Sequence, residues 1–149
     1  MSDNALRIET VLAKDLYTFF CDYVAHAEGQ QISPISKSRA LSQSRNPCAA
    51  EDDVGLLVAY VGKQCVGYQG VLPGRLRTRD GISKVYWGTA SYVLPEFRKR
   101  LVAVHLIRKL IALKKDIIVT YFNKPLADLF LGLLRSGCAP EQHIDRDQK

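Results

Sequence analysis

Arg98, Lys99 and Arg100 stand in a row where a β-rich run gives way to an amphipathic one. The first backbone N–H groups of a helix lack intrahelical acceptors and lie at the positive end of its dipole, so a helix start attracts phosphate. Basic side chains there oppose the dipole unless an anion compensates them. A helix start at the carboxyl end of a strand is also where ligands of α/β sheets bind. These residues point to a phosphate or pyrophosphate site. The plain alternative is a solvated basic turn.

Positive charge gathers around this point. The chain carries 21 Lys+Arg against 15 Asp+Glu, a formal net charge of +6. Residues 75–115 alone hold eleven Lys/Arg and two acids, a net +9 that leaves −3 for the rest. Such a segment suits an anionic partner: nucleic acid, a membrane surface or a phosphorylated small molecule. Tyr86, Trp87 and Tyr92 could form a base-stacking platform. They occur on one strand-like run, however, where neighbouring side chains alternate faces, and core packing explains them better. Cys21, Cys48, Cys65 and Cys138 lack short ligand spacing, and His26, His105 and His143 are scattered. The cysteines read as free thiols, and no metal site is expected.

The elements that must position the basic turn follow from periodicity. The chain has 149 residues, 47% of them hydrophobic, which suits one domain with its own core. No apolar run approaches the ~18–20 residues needed to span a bilayer, and the start Met1-Ser2-Asp3-Asn4 lacks the features of a secretory signal. The expectation is a soluble cytoplasmic protein, with residues 1–149 forming one domain. A short strand is expected at 6–9. A helix over 12–27 follows, its apolar stripe running through Leu12, Leu16, Phe19, Phe20, Tyr23 and Val24. Residues 28–53 read mostly as loop, with a short helix at about 36–44.

Strands follow at 54–61 and 64–72. A basic run at 75–79 then reaches Asp80-Gly81, a hairpin turn pair leading to a strand at 84–94. The middle is therefore an antiparallel meander. A helix over 98–115 and a β-rich run at 117–122 complete a strand–helix–strand unit, which demands parallel pairing and a right-handed crossover. A last helix occupies 125–134, and Gly137 ends it.

The segment Ser91-Tyr92-Val93-Leu94-Pro95-Glu96-Phe97-Arg98-Lys99-Arg100-Leu101-Val102-Ala103 resembles the acyl-CoA motif of the GNAT superfamily of N-acyltransferases. That motif reads Arg or Gln, two variable residues, Gly, one residue, then Gly or Ala. Arg98 takes its first position and Ala103 its last, while Leu101 replaces the middle glycine and is read here as part of a helical first turn. Asn123, followed by Phe130 in the next helix, resembles the family's Asn-to-Tyr segment, with Phe130 lacking the phenol. The element order agrees over about residues 6–137.

The resemblance implies an α+β, three-layer fold: a mixed sheet in which an antiparallel meander precedes a βαβ unit, with a V-shaped splay between strands four and five. It implies an acetyltransferase, or wider N-acyltransferase, moving an acyl group from acetyl-CoA or another acyl-CoA to a small amine or peptide amine by direct attack. The backbone of Lys99, Arg100, Leu101, Val102 and Ala103, with the side chains of Arg98 and Arg100, would hold the pyrophosphate. The amides of Tyr92 and Val93 would pair with the pantetheine arm, and Asn123 would complete the cosubstrate site. Strand 84–94 contains no acid, which leaves Ser91 and Glu28 as the catalytic candidates, with His26 and Glu96 behind them. No membrane partner is expected and a homodimer is open. The alternatives are a GNAT-like binding module without turnover and, further off, a basic nucleic-acid-binding domain. Residues 138–149 read as a polar tail or an incomplete final hairpin.

Overall fold

The computed structural model describes residues 4–113, 115–120, 124–133 and 135–136. Five strands form one sheet in chain order: β1 (Leu6–Leu12), β2 (Val54–Val61), β3 (Gln64–Thr78), β4 (Gly81–Val93) and β5 (Asp116–Val119). The first four pair antiparallel and β5 runs parallel to β4. Helices α1 (Leu16–Ala25) and α2 (Lys37–Ser44) cover one face, while α3 (Val102–Ala112) and α4 (Lys124–Leu133) cover the other. The meander, the strand–helix–strand unit and the three layers thus stand as the sequence implies.

Each face has its own apolar cluster. Leu57, Ala59, Val71, Tyr86 and Val93 meet Val102, Leu106, Ile107 and Leu110 of α3 and Phe130 of α4. On the opposite face Leu56, Val58 and Cys65 meet Leu16 of α1 and Ala40 of α2. Apart from Tyr60, which is half-buried, all of β2 is buried, because helices cover both of its faces. A continuous apolar run, rather than an alternating one, is the sequence signature of that position.

Most boundaries shift by a few residues, and three differ from expectation for a definite physical reason. Leu12 is not helical; it pairs with Val54 as the last residue of β1, and Ala13 N–H donates to Asp53 O at 2.7 Å before α1 begins at Leu16. β3 does not stop at 72 but continues through Pro73 to Thr78. Pro73 is tolerated because β2 no longer flanks it. Its carbonyl instead accepts Asn46 Nδ2 at 2.7 Å, so its missing N–H falls on the free side of the strand. The third difference, the start of α3, lies in the site.

Asp53, 1% exposed, anchors β4 to the loop before β2. Its carboxylate pairs with Lys84 Nζ and accepts the Tyr86 hydroxyl at 2.8 Å and the Ala50 amide at 2.7 Å. Burial pushes the carboxyl up, but these three donors outweigh it and hold Asp53 below its ordinary value. Burial together with the Asp53 charge pushes the Tyr86 hydroxyl up to about 12. Among the described residues, no helix is long and apolar enough to cross a membrane.

Candidate functional site

The sheet opens where β5 ends. β4 pairs with β5 only from Val85 to Gly88, against Asp116 to Val119. Among the described residues nothing pairs with the same edge of Thr89–Val93. A β-bulge begins at the same level: Gly88 faces Val71 and Ser91 faces Gln69, so Thr89 and Ala90 together oppose Gly70. Gly70 is required here, since a Cβ would overlap the Thr89 hydroxyl. Bulge and vacant edge leave a cleft of about 500 Å³, lined by Gln69, Leu72, Trp87, Gly88, Thr89, Ala90, Ser91, Val119, Thr120 and Phe130.

Backbone direction along the vacant edge is set by one bond. Leu94 N–H donates to Val66 O at 2.8 Å, so residue 94 points towards β3. By strand alternation Tyr92 does too, while Ser91 and Val93 turn their N–H and C=O groups outward. The Val93 carbonyl is met there by Arg98 Nε at 3.2 Å. Of the two residues expected to offer amides, Val93 thus presents its backbone to the open edge and Tyr92 does not.

A 3₁₀ turn, Pro95–Arg100, joins β4 to α3. The helix expected over 98–115 begins only at Val102 and ends at Ala112. Leu101 belongs to no helical turn. It adopts the left-handed conformation, φ 59° and ψ 27°, and stands alone among the described non-glycine residues in having a positive φ. The reason is geometric: the chain must change direction between the turn and α3, and a left-handed residue does so in one step. In the motif this position is glycine, the residue that adopts it without strain.

α3 is seated closely. A Cβ on Gly67 would lie 2.9 Å from Tyr92 O and 3.3 Å from Val102 Cγ1, so only glycine lets the first residue of α3 rest against β3 beside Val93. The amides of Val102, Ala103 and Val104 begin the helix without intrahelical acceptors. The Leu101 side chain supplies no cap.

The remaining expected residues fall in different places. Arg98 stacks over Tyr92, 5.9 Å from the ring centre, besides its bond to Val93. Arg100 lies over Phe97 and donates to Asn4 O at 2.8 Å. Lys99 is exposed. Trp87 is half-buried and Tyr86 buried, whereas Tyr92 is 38% exposed, against Tyr68 with ring centres 6.3 Å apart; core packing does not account for it. Ser91 lines the cleft. Glu28 and His26 do not; they border a separate hollow of about 450 Å³ with Arg7, Glu9, Tyr23 and Tyr60. Asn123 and residues 138–149 lie outside the described residues. Phe130 is buried and contributes to the cleft wall.

Two residues that the sequence did not single out support the site, Gln69 from its lining and Arg39 through a contact to Thr89. Gln69, 5% exposed, donates through Nε2 to Gly70 O at 2.9 Å and so braces the bulge. Arg39 reaches from α2 to Thr89 Oγ1, donating through Nη2 at 3.2 Å. Burial raises the nearby Tyr68 hydroxyl, with the Arg39 charge pulling the other way. The only advance signal for Arg39 was Ser36, whose hydroxyl caps α2 by accepting Arg39 N–H at 3.3 Å and fixes the turn that aims it. Among the described residues no group of three or more His, Cys, Asp or Glu is arranged to hold a metal ion.

No family model matches the sequence, and no curated protein matches it. Solved structures do match. An aminoglycoside acetyltransferase from an uncultured soil metagenomic sample, in complex with trehalose, is 19% identical, with 97% of this chain and 95% of that one covered at a TM-score of 0.51. The same enzyme in complex with sisomicin gives 17% identity, the same coverage and 0.50. An acetyltransferase of Trypanosoma brucei is 17% identical, covering 97% of this chain and all of that one at 0.52. At these identities the likeness is one of fold. The chain has the mixed-sheet GNAT fold, the architecture of these acetyltransferases.

Proposed function

We propose that the protein is an acyl-CoA-dependent N-acyltransferase, most simply an acetyltransferase, acting on a primary amine. The observation that carries this reading is the edge of β4 at Ser91 and Val93, which no strand among the described residues pairs and where the Val93 amide stays open, leading directly to a start of α3 that the Leu101 side chain does not cap. A strand edge suits an amide-bearing arm, and a helix start suits a pyrophosphate. In this reading the amides of Val102, Ala103 and Val104 hold the diphosphate, with Lys99 beside them. Val93 pairs with the pantetheine arm, and Ser91 and Ala90 flank the thioester in the cleft. The amine nitrogen bonds to the acyl carbon as the C–S bond breaks; its proton passes to the departing thiolate or to solvent. Proximity supplies much of the acceleration. Ser91 orients the reacting groups. Glu28, in its separate hollow, would serve only an extended acceptor.

Thermal-shift titration with acetyl-CoA tests the proposal, since a ligand at a hundred times its Kd stabilises by about 2.7 kcal/mol. No shift at saturation, together with no CoA release across a panel of amines, would refute it. Leu101 favours a second reading, a GNAT-fold binding module without turnover. Its side chain is 59% exposed at the position where the motif has glycine. Acetyl-CoA binding with no transfer to any amine is the result expected of that module.

A further inference from the structure

A half-buried cation stands against one residue of the cleft wall. Arg39 donates through one Nη2 to Thr89, which forms the cleft wall with Leu72 and Trp87. Among the described residues Arg39 belongs to no ion pair; the three pairs present are Arg7–Glu9, Lys14–Glu51 and Lys84–Asp53. A guanidinium has five N–H donors in a planar fork, and one contact to a hydroxyl leaves most of them for a ligand. Its position is not adventitious: the Ser36 cap fixes the first turn of α2, and the neighbouring Ala40 is fully buried beneath it. Among the described residues, the cleft lining contains no carboxylate that would attract a polycation. Its walls at Leu72, Trp87, Val119 and Phe130 are apolar.

Resting on the acyltransferase reading, we infer that the acceptor is an amine bearing both a carboxylate and an apolar body, the chemistry of a free apolar amino acid. Arg39 receives the carboxylate as a bidentate partner. Leu72 and Trp87 receive the apolar group, and the amine is left facing the thioester beside Ser91 and Thr89. Arg39 is in this sense a specificity-determining residue.

The test measures CoA release from acetyl-CoA with L-leucine, L-phenylalanine and L-tryptophan, their carboxamides, and the polycationic sisomicin. Wild type, Arg39→Gln and Arg39→Lys are compared, and acetyl-CoA binding is followed separately by thermal shift for each. Loss of a charge-assisted bidentate contact is worth about ten- to a hundredfold in kcat/KM. The acids are expected to exceed their amides by that ratio in wild type. Arg39→Gln should abolish the ratio in kcat/KM while leaving the acetyl-CoA shift unchanged, and Arg39→Lys should keep part of it. Amides or sisomicin used as well as the acids, a ratio unmoved by Arg39→Gln, or acetyl-CoA binding with no acid acylated would each overturn the inference. Absence of any acetyl-CoA binding by wild type would instead overturn the acyltransferase reading on which it rests.

Discussion

Replacing Leu101 by glycine should make the protein more stable, although it removes an entire side chain. Leu101 sits at φ 59° between the 3₁₀ turn and α3. Left-handed backbone costs a non-glycine residue about 1–2 kcal/mol. Glycine relieves that cost but gains freedom in the unfolded chain, which returns about 0.4–1 kcal/mol. Leu101 is 59% exposed and belongs to neither apolar cluster, so little burial is lost with it. The net gain is roughly 0.5–1 kcal/mol, or about 1–4 °C in Tm for a domain of this size. The control is Leu101→Ala, which removes the same bulk and keeps the left-handed strain. Calorimetry and urea unfolding of the three proteins decide the matter. If glycine is no more stable than alanine, strain at Leu101 is not stored there and the account of this turn fails.

Asp53→Ala removes the acceptor of Lys84, Tyr86 and the Ala50 amide and should cost roughly 2–4 kcal/mol, the lower part of the range for a broken buried pair because Lys84 is partly solvated. Since the folded carboxyl is held below its unfolded value, its stabilisation is present above about pH 4 and lost as pH falls through the folded value. Urea midpoints from pH 7 to 3 should therefore fall less steeply for Asp53→Asn than for wild type. Gly67→Ala places a methyl group 2.9 Å from Tyr92 O; it should destabilise by about 1–3 kcal/mol and weaken any acetyl-CoA shift by displacing α3. Cys21 is exposed, whereas Cys65 is fully buried and its thiol is pushed up by burial. A thiol reagent should label Cys21 in the native protein and Cys65 only in denaturant, as peptide mapping by mass spectrometry will read.

The strands and the face of each helix were legible because burial imposes a period on the sequence. β2 reads as a continuous apolar run, and Val102, Leu106 and Leu110 repeat at helical spacing. The boundaries were less so where a residue's local preference was overridden. Leu12 fits a helical stripe yet pairs with Val54, and Pro73 reads as a stop yet lies in a strand whose other side is free. Arg98–Arg100 look like a helical turn by composition. Seating Val102 on Gly67 forces the reversal at Leu101, a tertiary contact between residues distant in sequence. Arg39 was beyond reach for the same reason, since its partner Thr89 is brought to it only by the bulge opposite Gly70.

The same bulge bears on how such a site could work without a base. Strand β4 has no acid, and among the described residues none lines the cleft. An acceptor amine must still lose a proton before it attacks. A fixed cation next to an ammonium group lowers its pKa, because two like charges disfavour the charged form. Arg39, held at Thr89 on the bulge, is such a cation. An amino acid clamped there by its carboxylate would lie close enough to be held near the thioester while its own ammonium is made easier to deprotonate. One guanidinium would then serve both selection and activation, and the pH dependence of kcat would follow the bound acceptor's amine rather than any carboxylate of the protein.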